Sequence, residues 1–299
     1  MSKEQAEQVI ALLRAAPSDP NATTAQARAR MEEATSMLPV GDGVTVTEGI
    51  SANGVTCDWI VPDGANEDRA ILYLHGGAYC VGSRKTHRAL AAELARVSDA
   101  PVLVADYGLA PENPYPEGIE DAVNAYQWLE TEKNIPANMI GIAGDSAGGG
   151  LTMATLLMLR DREMGEPACG MVISPWVDMT CSAKSYETRR DRDPMIVPDN
   201  IQGSADLYLN GKDAESHLAS PVFARLNGLP PLLIQVGTEE VLYDDAVRLA
   251  GRAVEAHIDV TLECWDGMFH VWHAFYSMLD EGQEAIAAMG QFYKDKIGR

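Results

Sequence analysis

The feature of this sequence that most constrains its fold is a Gly-Asp-Ser-Ala-Gly turn at residues 144–148. The apolar run at 139–143 predicts a buried strand before the turn, and the helix formers at 151–159 predict a helix after it. In so sharp a turn, side chains two residues before and after the serine would clash with the strand and the helix, and the two glycines remove them. A strand, a sharp G-x-S-x-G turn and a helix are the context of a nucleophile elbow, with Ser146 as the nucleophile.

The rest of the chain alternates strand and helix patterns. An Asn-Gly pair at 53–54 predicts a hairpin between β-branched runs at 44–47 and 55–61. Further strands are predicted at 70–74, 102–105, 139–143, 170–174, 232–236 and 260–264, and helices near 86–98, 118–132, 147–163, 243–256 and 283–297. Apolar strands that alternate with helices imply an α/β fold, a mainly parallel sheet covered by helices on both faces. The hairpin would add antiparallel strands at one edge.

Two regions lie outside this alternation. Near the N-terminus, helices are predicted at about 3–16 and 22–38. The stretch of nearly sixty residues between the predicted strands at 170–174 and 232–236 has no strand signal. It contains only an apolar turn at 207–209. So long an excursion within a compact domain is often a lid over an active site. We therefore expect a single catalytic domain, residues 1–299, with a cap formed by about 1–40 and 178–220.

The charge, the apolar runs and the cysteines of the sequence indicate which binding partners and environments are unfavourable. The chain has 44 Asp and Glu against 23 Lys and Arg, a net charge of −21, which argues against nucleic acids and anionic membrane surfaces. No apolar run approaches the ~20 residues needed to span a membrane, and the N-terminal sequence lacks the long apolar region of a signal peptide. The five cysteines are widely spaced and form no C-x-x-C pair. They indicate neither a metal site nor a disulfide framework and favour a reducing, cytoplasmic environment.

A nucleophilic serine needs a base to remove its proton and an acid to orient that base. In the fold that uses this elbow, the acid and then the base follow the serine along the chain, on loops after later strands. His270 comes just past the predicted strand at 260–264 and is the expected base. His273, one helical turn later, is expected to pack or to support the site.

The acid is expected directly after the predicted strand at 232–236. Four carboxylates compete there: Glu239, Glu240, Asp244 and Asp245. Glu239 could face solvent, and the two aspartates could lie in the first turn of the next helix, where the helix dipole favours them. Spacing alone does not decide between the two glutamates.

The loop after the predicted strand at 70–74 begins with His-Gly-Gly-Ala at residues 75–78. Consecutive glycines allow backbone N–H groups to approach a tetrahedral oxyanion closely, and the amide of Ala147 would join them. One such donor is typically worth about 3 kcal/mol in the transition state. The sequence therefore predicts an oxyanion hole at this loop.

Together these motifs resemble the hormone-sensitive-lipase-like (bacterial family IV) esterases of the α/β-hydrolase superfamily. The resemblance spans about residues 70–275. It rests on His75-Gly-Gly-Ala78, Asp106-Tyr-Gly-Leu-Ala-Pro-Glu112, Gly144-Asp-Ser-Ala-Gly-Gly149, Ser174-Pro175-Trp176 and Gly267-Met-Phe-His270. It implies the α/β-hydrolase fold, with a mostly parallel central sheet flanked by helices and a helical cap.

The resemblance also implies roles for individual residues. Ser146 would be the nucleophile and His270 the base. The oxyanion donors would be the amides of Gly76, Gly77 and Ala147. The family's acid opens a D-P-L-x-D pattern thirty residues before the histidine, and the chain has Glu240 at that position. Glu240 is therefore the preferred acid, and Glu239 is second.

Three departures from the family pattern remove no catalytic atom. The acid is glutamate where the family usually has aspartate, which a triad tolerates. Ala78 replaces the third glycine of the oxyanion motif but keeps its amide. Gly108 replaces a common arginine and loses whatever ion pair that residue makes.

The implied activity is hydrolysis of short- to medium-chain acyl esters through an acyl-enzyme, with no metal and no organic cofactor. An amidase or peptidase with the same triad is an alternative that amide and ester analogues would separate. A ligand receptor without catalysis is a second alternative, and a fluorophosphonate probe would distinguish it. The resemblance also implies a homodimer formed through the sheet edge near the last strand.

Overall fold

The computed structural model describes residues 3–15, 22–35 and 38–298. Its strands are β1 (Val44–Ala52), β2 (Val55–Pro62), β3 (Ala70–Leu74), β4 (Val102–Asp106), β5 (Ile140–Asp145), β6 (Cys169–Ile173), β7 (Leu232–Gly237) and β8 (Val260–Trp265). Its helices are α1 (Lys3–Ala15), α2 (Thr24–Thr35), α3 (Arg88–Ser98), α4 (Glu117–Thr131), α5 (Ala147–Asp161), α6 (Ser185–Thr188), α7 (Pro198–Leu209), α8 (Tyr243–Glu255) and α9 (Asp280–Lys296). Residue 16 of the first predicted helix and residues 36 and 37 of the second lie outside the described residues.

All eight strands form one sheet in the order β1-β2-β4-β3-β5-β6-β7-β8. β1 and β2 form the predicted antiparallel hairpin, and β2 pairs antiparallel with β4. The remaining pairs, from β4 to β8, are parallel. The predicted α/β fold is therefore confirmed. The carboxyl ends of β3, β5, β7 and β8 meet at one edge of this sheet, which is where sites in such folds form.

Helices cover both faces of the sheet. α3 and α9 pack on one face, and α4, α5 and α8 pack on the other. Because both faces are covered, β3, β5, β6 and β7 are buried along their whole length, which explains their nearly continuous apolar sequences. This buried sheet is a rigid base for the loops at its carboxyl edge.

The long excursion between β6 and β7 has no strand, as predicted, but it does contain the two α-helices α6 and α7. The prediction of an apolar turn at residues 207–209 is wrong, because these residues are the end of helix α7. Pro198 starts this helix, at a position where a missing N–H costs nothing. Asn210, with φ +47°, ends it in the left-handed conformation. In the described ranges, no helix combines the length and the apolar character that a membrane crossing requires.

Candidate active site

Ser146 lies on the sharp turn between β5 and α5. Its backbone has φ +53° and ψ −121°, a conformation that residues with a side chain rarely adopt. Two hydrogen bonds hold it there. The Ser146 amide donates to the Ile173 carbonyl at the end of β6, at 2.8 Å, and the Ser146 carbonyl accepts from the Trp176 amide at 2.9 Å. The neighbouring strand and its loop therefore maintain the strained turn.

The flanking glycines of the elbow are required by space. A Cβ on Gly144 would overlap the carbonyl oxygens of Gly148 and Leu74. A Cβ on Gly148 would overlap the carbonyl oxygens of Leu74 and His75. These are backbone atoms, which cannot move aside as a flexible side chain can. The steric reason predicted for the two glycines is thus confirmed.

Three backbone amides near the elbow are available as hydrogen-bond donors. Gly77 and Ala78 have φ values of +122° and +52° and turn the chain after β3. Among the described residues, neither of their amides has a protein acceptor. Ala147 is the first residue of α5, so its N–H has no partner within the helix. An anion between these groups would meet free donors and the positive end of the α5 dipole.

Gly76 differs from these three residues. Its amide donates to Oδ1 of Asp145 at 3.1 Å. A Cβ on Gly76 would overlap the same carboxylate. The structure therefore does not support Gly76 as an oxyanion donor, because its N–H is already bound within the protein.

Glu240 and His270 meet at the carboxyl edge of the sheet. Nδ1 of His270 lies 2.9 Å from Oε2 of Glu240, and both side chains are buried. Oε1 of Glu240 accepts hydrogen bonds from the Ser174 hydroxyl at 2.7 Å and from the Gly237 amide at 2.6 Å. The Ser174 hydroxyl accepts in turn from the Val271 amide at 3.1 Å. One serine, to which the sequence analysis gave no role, thus connects Glu240 to the residue after His270.

The surroundings of His270 favour the protonated ring. Burial alone lowers the pKa of His270, but the hydrogen bond and the charge of Glu240 outweigh burial and raise the pKa above its usual value. The carboxylates of Asp193 and Asp145 act in the same direction. Because Nδ1 faces Glu240, Nε2 is the ring nitrogen on the side away from that carboxylate.

The other three predicted acids are engaged elsewhere. The Glu239 carboxylate pairs with the guanidinium of Arg192. Asp244 accepts a hydrogen bond from the Ser185 amide at 2.9 Å. Asp245 accepts from two backbone amides that follow β6. Both aspartates lie in the first turn of α8, as predicted. Of the four carboxylates, Glu240 is the one that contacts His270.

Asp145, the residue before Ser146, forms a buried polar cluster that the sequence analysis missed. Its Oδ1 accepts from the Tyr73 hydroxyl at 2.7 Å as well as from Gly76, and its Oδ2 lies 3.4 Å from Nε2 of His87. Burial raises the pKa of Asp145, but His87 and the Tyr73 hydrogen bond outweigh burial and lower the pKa to about 2. Asp145 likewise raises the pKa of His87 despite burial. The lowered pKa of Asp145 and the raised pKa of His87 both favour an ion pair between these two residues.

Helix α1 contacts the loop that carries His270. Val9 of α1 and Phe269 belong to one buried apolar cluster. The Arg14 guanidinium, near the end of α1, donates to the Asp191 carbonyl at 3.4 Å. α1 therefore contacts both the loop after β8 and the excursion between β6 and β7.

Helices α2 and α7 contact the loop after β3. The Arg28 guanidinium of α2 donates to the Cys80 carbonyl at 2.8 Å. The ring of Tyr208, in α7, stacks on Tyr79 with 3.8 Å between the ring centroids. The elements of both predicted cap segments thus lie against loops at the carboxyl edge of the sheet.

His273 lies outside the Glu240–His270 pair. It is buried, and its Nε2 forms a 2.8 Å hydrogen bond with Oε1 of Gln235. Its contacts are those of the packing or supporting residue that the sequence predicts. Across the part of the chain that the structure describes, no three His, Cys, Asp or Glu side chains gather as a metal site would require.

Comparison with known proteins adds independent findings. Residues 71–274 match a protein family whose description is the α/β-hydrolase fold. The chain is 44% identical over 270 residues to an acetyl-hydrolase of Streptomyces hygroscopicus, which is 90% of this chain and 88% of that protein. It is similar to the crystal structure of an esterase from the bacterial hormone-sensitive lipase family, with a TM-score of 0.95, 42% identity and 99% of both chains covered. It is also similar to the crystal structure of EstE5 soaked with p-nitrophenyl butyrate, with a TM-score of 0.93, 43% identity and 98% of both chains covered.

Proposed function

The chain belongs to the hormone-sensitive-lipase-like esterases of the α/β-hydrolase superfamily and is a serine carboxylesterase, and we propose that it works through a triad of Ser146, His270 and Glu240. The observation that carries the proposal is the buried 2.9 Å contact between Nδ1 of His270 and Oε2 of Glu240, at the sheet edge that bears the elbow. This contact holds the imidazole in the tautomer whose Nε2 can accept a proton from serine.

In the proposed mechanism, Nε2 of His270 takes the hydroxyl proton as Oγ of Ser146 attacks the ester carbonyl carbon. The bond to the alcohol oxygen then breaks, and His270 protonates the leaving alcohol. Water attacks the acyl-enzyme and gives a proton to His270, which returns it to Oγ as the acid is released. Glu240 stabilises the positive charge that the ring carries in both transition states.

We propose that the amides of Gly77, Ala78 and Ala147 bind the oxyanion. They are supported as donors because their N–H groups flank the elbow and have no acceptor in the described part of the chain. Each such donor is typically worth about 3 kcal/mol in the transition state. The amide of Gly76, expected from the sequence to be a donor, supports the loop instead through its hydrogen bond to Asp145.

We propose esters of short- to medium-chain acids as the substrates. One relative with 44% identity is an acetyl-hydrolase, and the EstE5 crystal was soaked with the ester of a four-carbon acid.

We also propose that residues of about 1–40 and 178–220 act as a cap on one catalytic domain, and that the protein forms a homodimer. The contacts of α1, α2 and α7 with the site loops support the cap. The dimer is supported by β8, the last strand in the sheet order, whose outer edge has no strand partner in the described ranges. Analytical ultracentrifugation measures the oligomeric state directly.

A p-nitrophenyl ester series of increasing acyl length tests the triad and the substrate class. We expect the wild type to prefer the short and medium members and Ser146→Ala to lose hydrolysis of all of them. A fluorophosphonate probe should label the wild type at Ser146 and leave Ser146→Ala unlabelled. Substantial turnover by a folded Ser146→Ala variant would contradict the proposal, and faster cleavage of matched amides would favour an amidase.

A further inference from the structure

The segment between α6 and α7, residues 189–197, contacts the loop that carries Glu240. This loop, residues 238–242, is called the acid loop below. The segment makes these contacts through three of its side chains. The Arg189 guanidinium donates to the Thr238 carbonyl at 2.7 Å, Arg192 pairs with Glu239, and Oδ2 of Asp193 accepts from the Val241 amide at 2.9 Å. The contacted residues lie before and after Glu240 in the sequence, so the excursion after β6 holds the acid loop on both sides of Glu240.

Asp193 differs from the other two side chains in its burial. Its exposed fraction is 8%, whereas the side chain of Arg192 is half exposed. Oδ1 of Asp193 accepts hydrogen bonds from the amides of Met195 and Ile196, at 2.9 and 3.0 Å. Both carboxylate oxygens are thus fixed by backbone amides, one toward the acid loop and one toward the segment that leads to α7.

We propose that Asp193 is a positioning residue for the Glu240–His270 pair. In this role Asp193 holds the acid loop at Val241 and places a second negative charge near His270. The inference rests on the proposed triad. Asp193 touches no reacting atom in this role. It acts through the amide of Val241 and through its charge.

Electrostatics supports this arrangement. The carboxylates that act on the imidazole are Glu240, Asp193 and Asp145, and all three raise the pKa of His270. On Glu240 the two charged groups oppose each other, because burial and Asp193 raise the pKa of Glu240 whereas His270 lowers it. A carboxylate fixed in a buried site needs no reorganisation when the imidazole gains its proton, so its attraction acts fully in the transition state.

The pH dependence of kcat/KM tests the charge directly. kcat/KM of the free enzyme rises with pH as His270 loses its proton, so the acid limb reports the pKa of His270. Replacing Asp193 with a neutral residue lowers that pKa, and we expect the acid limb of Asp193→Asn to move to lower pH by roughly 0.3–1 unit. The assay uses p-nitrophenyl acetate and butyrate, with melting temperature as the measure of folding.

Asp191→Asn is the matched control. Asp191 lies two residues away in the same segment, is exposed, and its substitution changes the net charge by the same amount. We expect its acid limb to coincide with that of the wild type. Asp193→Glu, which keeps the charge, should restore the wild-type limb even where its longer side chain reduces kcat.

The outcomes separate this inference from the proposed triad. Turnover by Ser146→Ala, measured in parallel, would show that the triad itself is wrong. If Ser146→Ala is inactive and the limb of a folded Asp193→Asn variant coincides with the wild type, Asp193 has no electrostatic role and the inference alone is overturned. Asp193→Ser replaces Asp193→Asn if the latter does not fold. If neither neutral variant folds, Asp193 is a structural residue and the inference is again overturned.

Discussion

The Asp145 carboxylate accepts a hydrogen bond from the Gly76 amide at 3.1 Å, so the residue before Ser146 also holds the loop after β3. Gly76 directly precedes Gly77, one of the proposed oxyanion donors. The same carboxylate is held by Tyr73 and His87. One buried side chain thus sets the distance between the elbow and the amides that would bind the oxyanion.

Removal of this carboxylate should slow catalysis. In Asp145→Ala the loop after β3 loses its link to the elbow, and a shift of the donors by about 1 Å can cost on the order of 100-fold in rate. We expect kcat to fall by roughly 10- to 100-fold with a smaller change in KM, measured on p-nitrophenyl butyrate. Asp63→Ala, which removes an exposed carboxylate after β2, is the control and should keep wild-type kinetics. Unchanged kcat in a folded Asp145→Ala variant would rule out this coupling.

The identity of the acid can be tested with two adjacent substitutions. Glu240→Gln keeps the shape of the side chain but removes the charge that orients and stabilises His270, and such a change in a serine triad lowers kcat by about 10⁴. Glu239→Gln removes the ion pair with Arg192, whose side chain is half exposed, and should change kcat less than about threefold. Steady-state kinetics of both variants decides the matter. The opposite ranking would make Glu239 the acid.

Much of the fold could be predicted because the strands carry strong local signals. β3, β5 and β7 are buried on both faces, so their apolar runs stand out from the helices between them. Helix α7 was missed because its signal is weak: few of its residues are buried, a glycine lies at position 203, and its initial proline reads as a breaker. Such a helix is stabilised by tertiary contacts, such as the stacking of Tyr208 on Tyr79.

The site was less predictable than the fold because neighbouring residues can point in different directions. Glu239 and Glu240 have nearly the same spacing to His270, and it was the resemblance to the family that favoured Glu240. In the structure Glu240 contacts His270, whereas Glu239 pairs with Arg192. Likewise, the run of glycines indicates an oxyanion loop but not which amides are free. The Gly76 amide is occupied by Asp145, a residue far away in sequence, and no local pattern reports that contact.

The elbow glycines give a prediction on stability. In Gly148→Ala the new methyl group would overlap the backbone carbonyls of Leu74 and His75, so the variant should be destabilised by about 1–3 kcal/mol or more. In Gly203→Ala the methyl group would meet no atom within 4 Å, so this helical position in α7 should gain about 0.5–1 kcal/mol. Urea unfolding measures both free energies. Equal effects of the two substitutions would show that the elbow can relax around a side chain.

The Asp145–His87 pair should make the free energy of unfolding depend on pH in two ranges, one acidic and one near neutral. The pKa of Asp145 is lowered to about 2, so its contribution is present above its usual 3.8 and is lost as the pH falls toward 2. The pKa of His87 is raised, so its contribution is present below its usual 6.5 and is lost as the pH rises through the folded value. The double variant Asp145→Asn/His87→Gln removes both titrations while keeping polar side chains at the two positions. We expect the free energy of unfolding of the wild type, relative to this variant, to be largest near about pH 5 and to fall by about 1 kcal/mol at about pH 3. Urea unfolding across this range measures the difference, and a difference independent of pH would show that the two residues are not an ion pair.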